Sequence, residues 1–485
     1  MSDNLKHQTV SGIKWNAIGK FGHQGIQFFV SLILARLLAP EEFGLISMLI
    51  IFMNIANVFI ASGLGLALIQ KKDCNDTDFS TVFYFNIVVS LFFYILLFFA
   101  APWIAKFYNQ PILVGLTRLQ SLVFLINAFG MVQSTILTKE LNFKKYNLIC
   151  IIGVFVSALV AIILAFKGFG VYSIVGQNIT YAIVINAIYW ITADWAPKAK
   201  FSFQSFKKLF GFGSKILASN LIDKIYTSLD SLLIGKIFSP AQLGYYTRAL
   251  TTKDLPINNT TNLLSSTLFP VFSKVESKEK LRAITLKIYL LVFYIVFPMM
   301  LGLIMVAKPF VVVLFSEKWL PSVPLLQILC VGGIGYPLSM VLCQAIIAQG
   351  HSGIFLKLEI YKKIIGITAM VVGLSFGMIS FVWAVVISSY INTFLNLFFA
   401  CKTLEDSIIP YLTRLFPTIG VSIIMMVSVY ALMLIPINSL ILQLILYVSF
   451  GIVVYILLSK LFRIKEYLYL ESNILEYIRR KFKKK

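Results

Sequence analysis

Residues 34–47 read "LARLLAPEEFGLIS" and residues 234–247 read "IGKIFSPAQLGYYT". In each, a Pro (Pro40, Pro240) is followed four residues later by Gly (Gly44, Gly244) and preceded four residues earlier by a cation (Arg36, Lys236). Pro starts a helix well because the N–H it lacks is one the first turn leaves unpaired anyway, and Gly lets a neighbouring helix approach closely. The motif reads as a corner between two helices, with its glycine packing the first and second helices of a set together. Its return after 200 residues asks whether the chain is built twice.

The register continues beyond the corner. Pro102-Trp103-Ile104 matches Pro309-Phe310-Val311, Leu119-Gln120 matches Leu326-Gln327, and "FGVYSIV" at 169 matches "FGMISFV" at 376, all at an offset of 207. Chance likeness between apolar segments does not hold one register through separated landmarks. Six helices form one unit, twice; an even number gives both units the same orientation, a parallel repeat about an axis along the membrane normal.

Composition sets the environment. Of 485 residues, 59% are hydrophobic and 13% charged, too apolar for a soluble surface. Apolar spans fall at 12–38, 42–69, 79–105, 112–138, 146–167, 170–193, 206–238, 242–273, 283–308, 321–349, 354–376, 378–401, 411–435 and 439–461. The expectation is an all-α polytopic membrane protein of about 14 transmembrane helices. Its domains are an N-terminal six-helix lobe (1–200), a C-terminal six-helix lobe (201–405), two additional helices (406–463) and a basic amphipathic tail (464–485). The polar start "MSDNLKHQTV" argues against a cleaved signal peptide.

Only six of the 42 Lys and Arg (Arg36, Lys106, Lys167, Lys236, Lys308, Lys318) fall on the side opposite the termini, so both termini are read as cytoplasmic. The net charge of +22 is mostly this bias plus the tail "RRKFKKK", which excludes a nucleic-acid reading and suits contact with anionic lipid. Five cysteines and three histidines without ligand spacing indicate neither a disulfide framework nor a metal, and no cofactor is called for. The stretch "FSFQSFKKLFGFGS" places Phe203, Phe206 and Phe210 on one face, with Gly211 and Gly213 offering a bend; it is expected to lie along the cytoplasmic surface before the seventh span turns inward.

Charge inside a span costs about 2.5–3.5 kcal/mol at the helix centre, so such residues face protein or a wet cavity. The first span carries Asn16, Lys20, His23, Gln24 and Gln27 on one stripe; 200 residues on stand Asn220, Asp223, Lys224 and Thr227, with Lys215 and Asp230 in the same span. Asn54 and Asn57 lie in the second span; Arg248, Lys253, Asp254, Asn258, Asn259 and Asn262 lie in the eighth, around a kinking Pro256. Arg118, near the outer end of the fourth, suits either holding substrate or sealing an outer gate. The candidate cavity set is Lys20, His23, Gln24, Gln27, Asn54, Arg118, Lys215, Asp223, Lys224, Arg248, Lys253 and Asp254; adjacent residues such as Lys253 and Asp254 point about 100° apart and cannot both face one cavity.

"ILARLLAPEEFGLISM", "LIQKKD", "LTKELNFKKY", "DSLLIGKIFSPAQLGYYTRA" and "LFPVFSKV" resemble the polysaccharide-exporting branch of the multidrug/oligosaccharidyl-lipid/polysaccharide flippase superfamily, close to Wzx-type O-antigen and colanic-acid flippases. The resemblance implies two lobes around a V-shaped cavity in the bacterial inner membrane. It further implies alternating access and transfer of undecaprenyl-pyrophosphate-linked glycan units to the periplasmic leaflet, and leaves open a polysaccharide-synthesis partner. An enzyme is disfavoured, since the outer loops are short and their carboxylates are Glu41, Glu42 and Glu317; the lack of a phosphate-binding Gly-rich loop with Lys-Ser/Thr excludes direct ATP drive within this chain. The alternative is a cation-coupled multidrug antiporter of the same superfamily, for which an acidic cavity would be needed.

Overall fold

The computed structural model describes residues 3–61, 63–275 and 277–482, all helices and short turns with no strand among them. It divides into two compact units, one ending at Thr247 and the other starting at Arg248.

The first unit holds α1 (Asp3–Leu37), α2 (Pro40–Ala61), α3 (Leu64–Gln70), α4 (Asp76–Tyr108), α5 (Leu113–Ala128), α6 (Met131–Lys139), α7 (Phe143–Phe166), α8 (Tyr172–Thr192), α9 (Phe203–Ile237) and the first turns of α10 (Pro240–Phe272). Its main packed pairs are α7 with α8, α4 with α5, α1 with α7 and α2 with α9. The second unit holds the rest of α10, α11 (Lys278–Phe315), α12 (Ser322–Gly333), α13 (Gly335–Ala348), α14 (Ser352–Leu374), α15 (Met378–Leu404), α16 (Ile409–Thr413), α17 (Phe416–Met433), α18 (Leu440–Leu461) and α19 (Lys465–Phe482). Here α14 packs on α15, α13 on α15, α17 on α18 and α11 on α12.

Among the described residues nine helical spans are long and apolar enough to cross a membrane, and the α5–α6 pair, bent by 47°, makes a tenth. Their outer faces carry Phe92, Phe99, Trp103, Ile191 and Leu461 in the open, as a lipid-facing surface should. Neither α1, α9, α10 nor α14 meets that test, because each carries too much charge or polarity.

Local chemistry explains the helix ends. Asn75 and Asp78 form a capping box at the start of α4, and Ser202, Ser277 and Ser439 cap α9, α11 and α18. Both Pro corners are closed alike: the Glu42 carboxylate accepts the Ala39 N–H at 2.7 Å, and the Gln242 amide oxygen accepts the Ser239 N–H at 3.3 Å. Left-handed residues also coincide at the 207 offset, with Asn109 (φ 54°) matching Ser316 (φ 96°) and Gly170 (φ 54°) matching Gly377 (φ 97°).

The corner glycines do something the sequence reading did not anticipate. A methyl on Gly44 would lie 1.8 Å from the Pro240 carbonyl oxygen, and one on Gly244 would lie 1.9 Å from the Pro40 carbonyl oxygen. The Ser47 hydroxyl donates to Thr247 Oγ1 at 3.3 Å. The closest approach is thus between the two corners, each glycine taking the other's proline carbonyl, rather than between the first and second helices of one set.

Several spans read as continuous are broken: the second at Gly63 (φ 68°), the fourth at Phe129–Gly130, the tenth at Ile334 and the thirteenth at Arg414–Leu415. The expectation for the segment from Phe203 is not met. Helix α9 runs unbroken through Gly211 and Gly213, and Phe206, Leu209 and Phe210 pack inside the first unit around Leu64, Phe83 and Phe85. Gly63 is held small by the α9 backbone: a methyl on Gly63 would meet the Gly213 carbonyl oxygen at 2.7 Å. The side chains of Asn262 and residues 474–485 lie outside the described ones.

Candidate functional site

Helix α1 has two exposed faces of opposite character. Ile18, Phe21, Phe29 and Ile33 are exposed on one side. Lys20 and Gln27 are exposed on the other, with His23 and Gln24 half-buried between them. At 100° per residue the two sets fall on opposite sides of the helix. A membrane helix can expose an apolar face to lipid, but an exposed cationic stripe needs water. The His23 ring stands edge-on to Tyr181 of α8 at 6.0 Å, and Asn16 accepts a hydrogen bond from Asn147 of α7 at 2.9 Å, which fixes the rotation of α1.

Helix α9 repeats the pattern in part. Asn220, Lys224 and Thr227 are exposed along one stripe, with Ser228 buried beside it, accepting from the Asn54 amide at 3.1 Å. Lys215 is also exposed, but nine residues from Lys224 places it on the opposite side of the helix. Asp223 is exposed one position round from the stripe. Asp230 is engaged: its carboxylate accepts the Tyr246 hydroxyl at 2.9 Å and the Ser231 N–H at 2.7 Å. Asn57 of α2 is exposed.

The remaining candidates are held by their own unit. Arg118 donates to the Phe98 carbonyl at 3.3 Å and stacks 4.2 Å above the Phe98 ring. Arg248 is 9% exposed, its guanidinium 4.8 Å from the Phe315 ring and 4.9 Å from the fully buried Trp319. Lys253 pairs with its neighbour Asp254 at 2.7 Å, and its stem reaches Gly333 of α12. The geometry therefore groups Lys20, His23, Gln24 and Gln27 on α1, groups Asn54 with the α9 stripe around Lys224, and sets Arg118, Arg248 and the Lys253–Asp254 pair apart.

Sequence reasoning missed the amides that join helices, Asn186 and Asn396 buried and Asn178 half-buried. Asn186 donates to Asn127 at 3.1 Å, Asn178 to Gln120 at 3.2 Å, and Asn396 to Ser339. Amides recur on these largely apolar helices, Gln177, Asn178 and Asn186 on α8 and Asn392 and Asn396 on α15, which is the pattern that would have found them. Gln327, which matches Gln120 at the 207 offset, donates to the Ile304 carbonyl at 3.1 Å.

The set contains exposed cations, amides and hydroxyls and no arrangement of nucleophile and base, so it can bind an anionic, hydroxyl-bearing group. The chain is 27% identical over 434 residues to "Lipopolysaccharide biosynthesis protein WzxC" of Escherichia coli (strain K12), covering 88% of each. Its fold matches "Lipid II flippase MurJ, inward closed conformation" with a TM-score of 0.74 at 18% identity, over 93% of this chain and 98% of that one. A multidrug resistance MATE family transporter of the MOP superfamily, inward-facing, matches with a TM-score of 0.64 at 15% identity, over 81% of this chain and 98% of that one. Residues 33–324 match the family model described as "Polysaccharide biosynthesis protein"; that is more than half of the chain, which belongs to this family.

Proposed function

We propose that the protein is a flippase for lipid-linked oligosaccharides, carrying undecaprenyl-pyrophosphate-linked glycan units from the cytoplasmic to the periplasmic leaflet of the bacterial inner membrane, with both termini cytoplasmic. The moving bodies are the six-helix halves read from the sequence, 1–200 and 201–405, rocking by alternating access. The observation that carries the reading is the polar stripe of α1, exposed Lys20 and Gln27 with half-buried Gln24, lying opposite a lipid-type face and echoed by Asn220, Lys224 and Thr227 on α9. A diphosphate takes the cations; sugar hydroxyls take the amides and hydroxyls. The lipopolysaccharide-biosynthesis relative and the lipid-flippase fold support the same substrate class. A cation-coupled drug antiporter is less well served, since Asp230 is occupied by Tyr246 and Ser231, and Asp254 by Lys253.

A charge-assisted hydrogen bond to phosphate is worth roughly 1.5–3 kcal/mol, or about ten- to hundredfold in binding. Lys20→Ala and Lys224→Ala are therefore expected to cut surface-glycan export by about that factor while the protein still reaches the membrane. Normal export in both, with loss in Asp223→Asn, would reverse the reading toward a cationic substrate.

A further inference from the structure

A second site lies away from the polar stripes, inside the first unit. At the end of α4, α7 and α8 that the cation bias assigns to the cytoplasm, a cavity of about 480 Å³ opens between the α3–α4 turn, α6, the start of α7 and the end of α8. Three polar atoms in its wall are buried and have no hydrogen-bond partner: both amide atoms of Gln133, which is 2% exposed, and the indole Nε1 of Trp195. Gln133 is brought there by the 47° bend between α5 and α6, and Trp195 is fixed by ring contacts with Phe79 and Phe83 at 5.9 and 6.0 Å. Broken helices are tolerated at membrane depth where they line a cavity, and buried polar groups are rarely left unpaired.

The rest of the lining says what would pair them. Lys139 donates to the Leu68 and Lys71 carbonyls at 2.9 and 2.6 Å and keeps one ammonium hydrogen, Lys145 donates to the Thr192 carbonyl and keeps two, and Lys72 is exposed at the mouth. With the indole N–H and the Gln133 amide hydrogens, the cavity is rich in donors, and the Gln133 oxygen is an unpartnered acceptor among them. The two lining carboxylates, Glu140 and Asp194, are exposed at the rim. Exposed apolar side chains, Trp190, Ile191 and Leu148, flank the site on α8 and α7, where acyl chains would lie.

We propose that this cavity binds a phosphodiester headgroup bearing a hydroxyl, as in an anionic glycerophospholipid. The phosphate oxygens take the Trp195 indole N–H, the Gln133 amide and the lysine ammonium groups, and the hydroxyl donates to the Gln133 oxygen. The site is separate from the transport stripe and would tie the bend of the fourth span to the membrane surface.

The test uses the purified full-length protein in detergent, with native mass spectrometry for lipid retention and a thermal melt for stability. Phosphatidylglycerol is expected to be retained at least about tenfold better than phosphatidylcholine and to raise the melting temperature. Gln133→Leu and Trp195→Phe are each expected to lower phosphatidylglycerol retention about tenfold and to abolish its stabilisation, while melting no lower than the wild type without lipid. Soluble sn-glycerol 3-phosphate distinguishes the source: failure to displace the lipid at millimolar concentration supports a membrane ligand, and displacement supports the same headgroup chemistry drawn from solution. Equal retention of the two lipids, or unchanged retention in both variants, would leave a cavity filled only by water and overturn the proposal.

Discussion

Helix α9 passes through two regimes within about twenty residues. From Ser228 onward, Ser231, Ile234 and Gly235 are buried where the helix approaches the two Pro corners, and each corner glycine there receives a carbonyl oxygen from the other corner. Between Ala218 and Thr227, all but Leu221 and Tyr226 are exposed, and the exposed set mixes Asn220, Asp223 and Lys224 with Ile222 and Ile225. The same contrast holds on α1, whose Val30, Leu34 and Ala35 are buried and whose Lys20 and Gln27 are not. The corner end of each helix is therefore a buried, backbone-to-backbone junction, and its middle is exposed. The first should be sensitive to volume, the second to charge.

The largest effect is expected at the corner. In Gly44→Val the new side chain collides with the Pro240 carbonyl, a backbone atom that cannot swing aside, so the penalty lies at or above the roughly 1–3 kcal/mol typical of overpacking. Export is expected to be abolished, with a broadened profile in detergent size-exclusion chromatography; a normal profile and normal export would end the account of a tight junction. Next is Lys224→Ala set against Lys215→Ala. The first is expected to lose about ten- to hundredfold in export and the second about twofold or less, because Lys215 lies on the other side of α9. Equal losses would mean that the stripe is not the binding face.

Arg248→Ala sharpens the comparison from the other unit. Its guanidinium is desolvated between two aromatic rings, a contact worth about 2 kcal/mol or more, so its loss is expected to lower the detergent melting temperature by several degrees, about 2–4 °C per kcal/mol in a unit of this size. Lys224→Ala should leave the melting temperature unchanged. Unaltered melting in Arg248→Ala would return that residue to the set of substrate contacts.

The smallest effect concerns pH. Glu405, just past α15, accepts a hydrogen bond from Lys278 at 2.6 Å and lies 3.6 Å from Arg282; the Lys278 hydrogen bond, then its charge, hold the carboxyl below its ordinary pKa, with Arg282 adding to this. A carboxyl whose pKa is depressed in the fold contributes stability above its unfolded pKa and loses it as pH falls through the folded value. Because the group is fully exposed, only a shallow decline in melting temperature is expected below about pH 4, and Glu405→Gln should flatten it. A decline of the same size in the variant would assign it to other carboxylates.

The helices were legible because apolar runs and the Pro, Ser and Asn caps act within a few residues: α9 and α10 lie 200 residues from α1 and α2 at the corner itself, with α1 ending at Leu37 and α9 at Ile237. The site was half legible. Spacing finds the Lys20 stripe because all its members share one helix. It cannot reveal that Arg248 turns to Phe315 and Trp319, since that choice is made by side chains about seventy residues away in sequence. Glycine is similarly mute: its absence of a side chain announces a close approach at Gly44 but not the neighbour, and Gly211 and Gly213 suggest a bend where α9 is continuous and the Gly213 carbonyl lies against Gly63.

The reciprocal corner also sets a schedule for biosynthesis. Pro240 leaves the ribosome 200 residues after Pro40, about 10–40 s later at bacterial-type elongation rates of roughly 5–20 residues per second. During that interval α2 is threaded into the bilayer with the seat at Gly44 empty, and α9, which packs along α2, does not yet exist. A nascent chain stopped near residue 200 would hold eight helices and an unfilled notch.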